Sequence, residues 1–347
     1  MLQKIFRGQL VYFILAVLVV SLYLRVAPPG PPTAPTVAPA HSDTLELWPK
    51  EMERLQLDEL LSQQPLLAFA LIGLGVFVAG MGLGGLGLLG WTVIRGRLRR
   101  AWHLGTGSLP RWTWGELARV TLLIIIVASL MPFVRLTVLF YQPSWAADLH
   151  VWMTVGMLLL DAFVIVAVLA FAAGKGLPVR QVLGPGTGGF ADAIAVGLRA
   201  YMTVFPWLVA LLFLIVKVSH ALHLQPPLQP LHELLFRPQH PFVLWLTTAL
   251  ACVVGPVAEE LFFRGVVYTT LRHRMSRWLA MAASGAVFSL VHTNVVGFVP
   301  ILALGWLLAY LYERTGSLVA PMAVHVLHNT FLMSAALVFR HFMDVSG

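Results

Sequence analysis

Long apolar stretches separated by short polar ones dominate the chain and predict helices that cross a membrane. The apolar stretches lie at 10–26, 66–94, 117–140, 151–173, 191–216, 242–271, 278–293, 298–312 and 318–339. A helix needs about 20 apolar residues to cross the hydrocarbon core of a bilayer, and most of these stretches approach or exceed that length. The pattern therefore predicts an all-α, polytopic integral membrane bundle of about nine transmembrane helices.

The basic residues between the apolar stretches indicate the orientation in the membrane. The basic residues of the predicted cytoplasmic loops, most of them in clusters, are Arg95, Arg97, Arg99, Arg100, Lys175, Arg180, Arg272, Arg274, Arg277 and Arg314. Cytoplasmic loops are rich in Lys and Arg, and all of these residues fall on one face if there are nine crossings and the N-terminus is inside. We expect a multi-pass protein of the bacterial inner membrane with a cytoplasmic N-terminus.

The chain divides into three predicted parts. Residues 1–65 combine a signal anchor, a Pro-rich external linker and a short amphipathic segment. Residues 66–240 supply accessory transmembrane helices. Residues 241–347 contain the polar motifs and form the predicted catalytic transmembrane core.

The amino-acid composition excludes several classes of protein and of partner. Of the 347 residues, 59% are hydrophobic and 11% are charged, whereas a soluble domain carries roughly 25% charged residues. Basic residues in the loops account for the net charge of +8, so nucleic acid is not an expected partner. The expected partner is the lipid bilayer. The single cysteine, Cys252, lies in an apolar stretch, which excludes an intrachain disulfide and argues against a thiol nucleophile.

Three charged residues, Glu259, Glu260 and Arg264, interrupt an apolar stretch that begins near Phe242. Charges inside a membrane helix are costly and usually mark a functional site. Glu260 and Arg264 have the i,i+4 spacing of an ion pair, which leaves Glu259 without a partner in its own helix. A carboxylate near an ion pair, but not part of it, suits a general base. The alternative is an ion-paired cluster that only fixes helix packing.

Two further apolar stretches carry polar residues at a similar level. Counted at the helical rise from the nearest basic cluster, Glu259, His292 and His325 lie about 20, 22 and 17 Å from the cytoplasmic face. Asn329 follows His325 at i+4 and shares its helical face. Three helices are therefore predicted to bring a carboxylate, two imidazoles and an amide together inside the membrane.

This set of side chains suits hydrolysis by an activated water. The carboxylate can take a proton from water while an imidazole orients it, and the other histidine and the amide can donate to an oxyanion. The same residues could instead hold a zinc ion through Glu259, His292 and His325, with one position open for water. The spacing alone does not separate these two arrangements.

The motifs Glu259-Glu260-x-x-x-Arg264, Phe288-x-x-x-His292 and His325-x-x-x-Asn329 resemble, in this order, those of a known family. It is the CAAX protease and bacteriocin-processing (CPBP) family of intramembrane proteases, which includes the Ras-converting type CAAX endopeptidase. The resemblance covers roughly residues 242–340.

The resemblance implies roles for these positions. Glu259 and His292 would activate the water, His325 and Asn329 would form the oxyanion site, and Glu260 and Arg264 would support them. It also implies a mechanism without a metal cofactor, with zinc as the alternative.

We therefore expect an intramembrane endopeptidase that cleaves a membrane-tethered protein or peptide, by CAAX-type or C-terminal sorting-tail processing. One alternative is a non-catalytic membrane immunity or binding protein of the same fold. Another is a proton-coupled transporter that uses the charges of the same helix. All motif residues are present, and no inverted repeat is visible, so both alternatives are less favoured.

Two isolated charges, Asp161 and Arg199, lie in the fourth and fifth apolar stretches. Because these stretches are joined by a short loop, we expect antiparallel neighbouring helices in which the two charges form an ion pair. The alternative is that each faces a water-filled cavity or finds another partner.

Overall fold

The computed structural model is helical through most of the part of the chain that it describes. The described residues are 14–15, 17–18, 65–95, 109–141, 148–184, 189–222, 241–292 and 297–346. The predicted signal anchor, apart from four of its residues, and the Pro-rich linker and amphipathic segment lie outside these ranges.

Beyond residue 64, the described ranges form nine helices, named α1 to α9 in chain order. They are α1 (Pro65–Ile94), α2 (Trp114–Phe140), α3 (Leu149–Gly174), α4 (Val179–Leu183), α5 (Gly189–Ala221), α6 (Pro241–Arg272), α7 (Arg277–Val291), α8 (Phe298–Thr315) and α9 (Val319–Ser346). Each of the eight apolar stretches predicted beyond residue 65 corresponds to one helix, and α4 is a short addition in a loop.

Six of these helices, α1, α2, α3, α5, α6 and α9, are long and apolar enough to cross a membrane. Helix α7 is also apolar but has only 15 residues, about 22 Å at the helical rise, against a hydrocarbon core of about 30 Å. Large apolar side chains such as Phe69, Leu83 and Trp245 are exposed on the outside of the bundle, as lipid contact requires. The protein is an all-α, polytopic membrane protein, and the number of nine crossings stays a prediction.

Helix α6 is central to the site and is not a regular α-helix along its whole length. Two π-helical turns, Leu250–Val254 and Phe263–Tyr268, lie on either side of an α-helical segment, Gly255–Phe262. That segment carries both glutamates. Single π-helical turns are uncommon and are frequently found at functional sites.

Helices α7 and α8 cross closely at two glycines. A Cβ atom at Gly305 would stand 3.0 Å from the Cα of Gly285 and 3.2 Å from Cδ1 of Phe288. A side chain at Gly305 would therefore push the two helices apart. This crossing places both Phe288 and the backbone carbonyl of Gly305 next to α6.

Helix α5 packs against α1 on one side and α9 on the other. A Cβ at Gly197 would stand 2.8 Å from the carbonyl oxygen of Ala320, close to the start of α9. On the opposite side, a Cβ at Gly84 would stand 2.9 Å from Cε of Met202. Through these contacts, helices from the N-terminal half support α9, which carries part of the site.

The loops that contain basic residues meet at one end of the bundle. Nζ of Lys175 donates a hydrogen bond to the carbonyl of Arg111 at 2.6 Å, and Nε2 of His273 lies 3.3 Å from the carbonyl of Pro110. The backbone N–H of Leu318 donates to the carbonyl of Leu183 at 2.8 Å. The ends of α3, α6 and α8 thus share one side, as the predicted topology requires.

The predicted ion pair between Asp161 and Arg199 is wrong. Helix α3 packs on α6 and α2, whereas α5 packs on α1 and α9, so the two helices are not close neighbours. Nε of Arg199 donates to the carbonyl of Ala195 in its own helix, at 3.1 Å. Asp161 instead faces α6, where a Cβ at Gly255 would stand 3.7 Å from its Oδ2.

Candidate active site

The buried core of the site is the ion pair between Glu260 and Arg264, which the i,i+4 spacing predicts. Nη1 of Arg264 donates to Oε1 of Glu260 at 2.7 Å, and both side chains have no exposed surface. Nη2 donates to the carbonyl of Gly305 at 3.0 Å, and the guanidinium lies 4.6 Å from the centre of the Phe288 ring. These contacts fix α6 against the crossing of α7 and α8.

His325 lies between the two glutamates. Its Nδ1 lies 2.9 Å from Oε1 of Glu260, and its Nε2 lies 3.5 Å from Oε2 of Glu259. Because the carboxylate of Glu260 is paired with Arg264, it accepts a hydrogen bond and Nδ1 is the donor. The second ring nitrogen of His325 therefore faces Glu259.

Glu259 is the more open of the two glutamates. Its side chain is 32% exposed, against 0% for Glu260. The Oε2 atom of Glu259 is itself buried and accepts no hydrogen bond from any described residue. The Glu259 side chain is therefore partly accessible from outside the helix bundle, and its Oε2 lies beside His325.

His292 lies at the end of α7 and is oriented by its own helix. Its Nδ1 donates to the carbonyl of Phe288 at 2.7 Å, since a carbonyl oxygen can only accept. In the neutral ring, Nε2 then carries the free lone pair. The centre of the Phe288 ring lies 4.6 Å from that of His292 and 5.7 Å from that of His325. Phe288 thus packs between the two histidines and under Arg264.

Asn329 is held by a π-helical turn of α6. Its Nδ2 donates to the carbonyl of Ala251 at 3.0 Å. Ala251 belongs to the turn Leu250–Val254, where hydrogen bonds skip one residue more than in an α-helix. An amide nitrogen has two hydrogens, so one N–H of Asn329 is used here and the other remains available.

The structure brings some of the predicted site residues into direct contact, while others are linked to them through one intervening residue. Glu259, Glu260 and His325 form one connected cluster, with Arg264 behind it. Among the described residues, His292 reaches this cluster only through Phe288, and Asn329 contacts α6 through Ala251. The catalytic roles of these residues stay predictions.

The zinc alternative stays a prediction. In the described residues, no group of three His, Cys, Asp or Glu side chains is arranged so that it could hold a metal ion. This includes the ligand set of Glu259, His292 and His325 that the zinc alternative requires.

The sequence did not predict the contacts of several residues that shape the site. Phe288 was visible as part of a motif, but its position between the histidines was not. His328 accepts or donates a hydrogen bond with the hydroxyl of Tyr201, 2.9 Å from its Nδ1, which ties α9 to α5. Asp161 was singled out by its isolation in an apolar stretch, although its neighbour on α6 was not foreseen.

Comparison with known proteins finds a family match over the part of the chain that carries the candidate site. Residues 241–331 match the family model described as type II CAAX prenyl endopeptidase Rce1-like. This part of the chain is similar to the Rce1-like family. The Rce1-like segment contains α6, α7, α8 and the site residues of α9, and it confirms the resemblance that the three motifs indicate.

A curated relative of the Rce1-like segment has a related description. The protein named "Putative membrane peptidase YdiL" of Bacillus subtilis (strain 168) is 30% identical over 88 residues, which are 25% of this chain and 36% of that relative. The chain therefore spans about a third of the relative's length. No solved structure matches the chain.

Proposed function

We propose that this protein is an intramembrane endopeptidase that hydrolyses a peptide bond in a membrane-tethered protein or peptide. The observation that carries the proposal is the position of His325, in contact with both glutamates inside a segment of the Rce1-like family. A cluster that served only helix packing would need no more than the Glu260–Arg264 ion pair. It would not need a second carboxylate that faces an imidazole.

In the proposed reaction, Glu259 is the general base. Its carboxylate takes a proton from a water molecule, and Nε2 of His292 accepts the other hydrogen of that water and orients it. The water oxygen then attacks the carbonyl carbon of the scissile peptide bond. The lone pair at Nε2 of His292 is available because Nδ1 already donates to Phe288.

His325 and Asn329 would stabilise the negative oxygen that forms in the attack. The second N–H of Asn329 can donate, since the first is held by Ala251. His325 can donate from Nε2 only as an imidazolium, because its Nδ1–H is used by Glu260. Donors prearranged in this way typically contribute about 10²–10³-fold in rate each.

Two classes of substrate fit the proposal. One is a prenylated C-terminal CAAX sequence, which the family description names, and the other is the C-terminal sorting tail of a surface protein. Both present a peptide bond close to a membrane anchor. We place the protein in the bacterial inner membrane with its N-terminus in the cytoplasm, because of the distribution of basic residues.

The test compares the membrane proteomes of cells that produce wild-type protein and the Glu259→Gln variant. The variant keeps the shape of the side chain and removes the base. We expect at least one membrane protein to accumulate in uncleaved form with Glu259→Gln and to be processed with the wild type. Mass spectrometry of its C-terminus then distinguishes a prenylated CAAX end from an unprenylated sorting tail.

Asp192→Asn is the matched control, because Asp192 is an exposed acid on α5, outside the site. Processing with this variant should equal that of the wild type. Identical proteomes for wild type and Glu259→Gln, at equal protein levels, would reject the proposed activity.

A further inference from the structure

Asp161 lies outside the Rce1-like segment, but its carboxylate faces the helix that carries the proposed base. A Cβ at Gly255 would stand 3.7 Å from Oδ2 of Asp161. Gly255 and Glu259 are four residues apart in one α-helical segment, so they lie on the same face, one turn from each other. Asp161 therefore approaches the face of α6 that carries Glu259.

The carboxylate of Asp161 has no protein partner in the described ranges. No described residue donates a hydrogen bond to it or forms an ion pair with it, and Arg199 is bonded to its own helix. Asp161 is also partly exposed, although its neighbours Val164, Ala167 and Val168 are buried. An unpaired charge in a membrane helix is costly, and such residues generally face a partner or a wet cavity.

Because Asp161 lies beside the segment that carries Glu259, a group that pairs with its charge could come from the substrate. The two candidate cations of the site, Arg264 and His325, lie with Glu260 and Glu259. A group that enters next to Glu259 and carries N–H donors or positive charge would balance Asp161. Peptide hydrolysis generates such a group in this place, since the leaving nitrogen becomes an ammonium.

We propose that Asp161 is a substrate-contacting residue that accepts hydrogen bonds from the nitrogen of the scissile peptide bond and holds the ammonium formed from it. This rests on the proposed endopeptidase activity and extends the site to α3, outside the family match. An extended substrate inside a membrane must have its backbone N–H groups paired, and a carboxylate acceptor at this place meets that need.

The proton balance of the step is complete. Glu259 receives one proton from water as the new carbon–oxygen bond forms. When the carbon–nitrogen bond breaks, the nitrogen takes the electron pair and that proton from Glu259, which becomes a carboxylate again. The second proton passes from the new carboxylic acid to the amine, which gives a carboxylate and an ammonium. Asp161 stays a carboxylate throughout and hydrogen-bonds the ammonium.

Product inhibition tests this assignment without depending on the rate of the chemical step. Two probes are needed: an internally quenched peptide with a farnesylated Cys three residues before its C-terminus, and a peptide that covers the cleavage site found with Glu259→Gln. The inhibitors are the C-terminal product with its free α-amino group and the same compound with an α-hydroxyl group in that place. The hydroxyl group is similar in size to the ammonium group but carries no charge.

For the wild type, the inhibition constant of the amine should be at least about tenfold lower than that of the hydroxyl compound, since a hydrogen bond between charged groups contributes that much binding free energy. Asp161→Asn should remove this difference and leave inhibition by the hydroxyl compound unchanged. Asp161→Ser serves as a second variant if Asp161→Asn does not elute as folded protein, and Asp192→Asn is the control that should keep the difference.

The outcomes separate the two proposals. If the wild type cleaves a probe and Asp161→Asn and Asp161→Ser keep the preference for the amine, the assignment of Asp161 is wrong and the endopeptidase proposal stands. A purely structural role would lower the unfolding temperature or affect both inhibitors equally, which also rejects the assignment. If the wild type cleaves neither probe, the proposed activity and the role of Asp161 both fail.

Discussion

Oε1 of Glu260 lies 2.9 Å from Nδ1 of His325, so a buried hydrogen bond joins α6 to α9 at the centre of the site. The i,i+4 spacing predicted only that Glu260 pairs with Arg264. The same oxygen in fact serves both partners. Glu260 therefore determines which ring nitrogen of His325 faces Glu259, in addition to balancing the charge of Arg264.

The first prediction concerns the stability that Glu260 provides. Glu260→Gln leaves the buried guanidinium of Arg264 without its countercharge, and we expect a loss of roughly 3–5 kcal/mol in unfolding free energy. Thermal unfolding in detergent measures it. Equal unfolding temperatures for the variant and the wild type would show that the ion pair contributes nothing.

A double variant separates the two functions of Glu260. Glu260→Gln combined with Arg264→Gln removes both charges, so no buried charge is left unpaired and part of the stability should return. The charged acceptor for His325 is still missing, and we expect cleavage to stay well below that of the wild type. Recovery of activity together with stability would mean that Glu260 matters only through Arg264.

The second prediction concerns Glu259. Glu259→Gln should reduce the cleavage rate by about 10²–10⁴-fold, the usual effect of losing a positioned general base. Since Oε2 of Glu259 accepts no hydrogen bond from any described residue, its replacement should leave the unfolding temperature within a few degrees of the wild type. Cleavage of the farnesylated probe at wild-type rate would contradict the role of Glu259.

The third prediction concerns the crossing of α7 and α8. Gly305→Ala places a Cβ 3.0 Å from Gly285 and 3.2 Å from Phe288, and overpacking of this kind costs about 1–3 kcal/mol. The shift should also displace Phe288 and lower the cleavage rate. Gly156→Ala in α3 is the matched control, because nothing lies within 4 Å of the added carbon. Similar unfolding temperatures for the two variants would contradict the tight crossing.

The fourth prediction concerns the link between α5 and α9. Tyr201→Phe removes the hydroxyl that is bonded to His328 and leaves a part-buried imidazole nitrogen unpaired, at a cost of about 1–3 kcal/mol. Tyr141→Phe changes an exposed tyrosine at the end of α2 and should have no measurable effect. The difference in unfolding temperature between the two variants measures the link, and a value near zero would contradict it.

The helices could be predicted well from the sequence because each is a long apolar stretch with polar residues at its ends. The bounds of α6, for example, differ by one residue from the predicted 242–271. Which helices are neighbours could not be predicted in this way. Asp161 and Arg199 lie in consecutive long helices, but these helices pack on different partners, and sequence order carries no information on that choice.

The site could be predicted in part because depth in a membrane can be counted along a helix. Glu259 and His325 were expected at a similar level, and their side chains are 3.5 Å apart. Lateral contacts depend on how the helices are rotated, which counting does not give. For this reason the sequence does not predict the placement of Phe288 between two histidines or the hydrogen bond from Asn329 to Ala251.

The π-helical turns of α6 have a consequence for how this helix is compared with other sequences. Each such turn accommodates one additional residue, and one residue corresponds to about 100° around an α-helix. A helical wheel drawn from Pro241 to Arg272 as a single α-helix therefore accumulates an angular error at Leu250–Val254 and again at Phe263–Tyr268. The helix therefore consists of three α-helical segments that are rotated relative to one another about the helix axis. Glu259 and Glu260 belong to the middle segment. A one-residue deletion within Leu250–Val254 would restore a regular helix and turn Phe242 and Trp245, now exposed at 67% and 72%, away from the lipid.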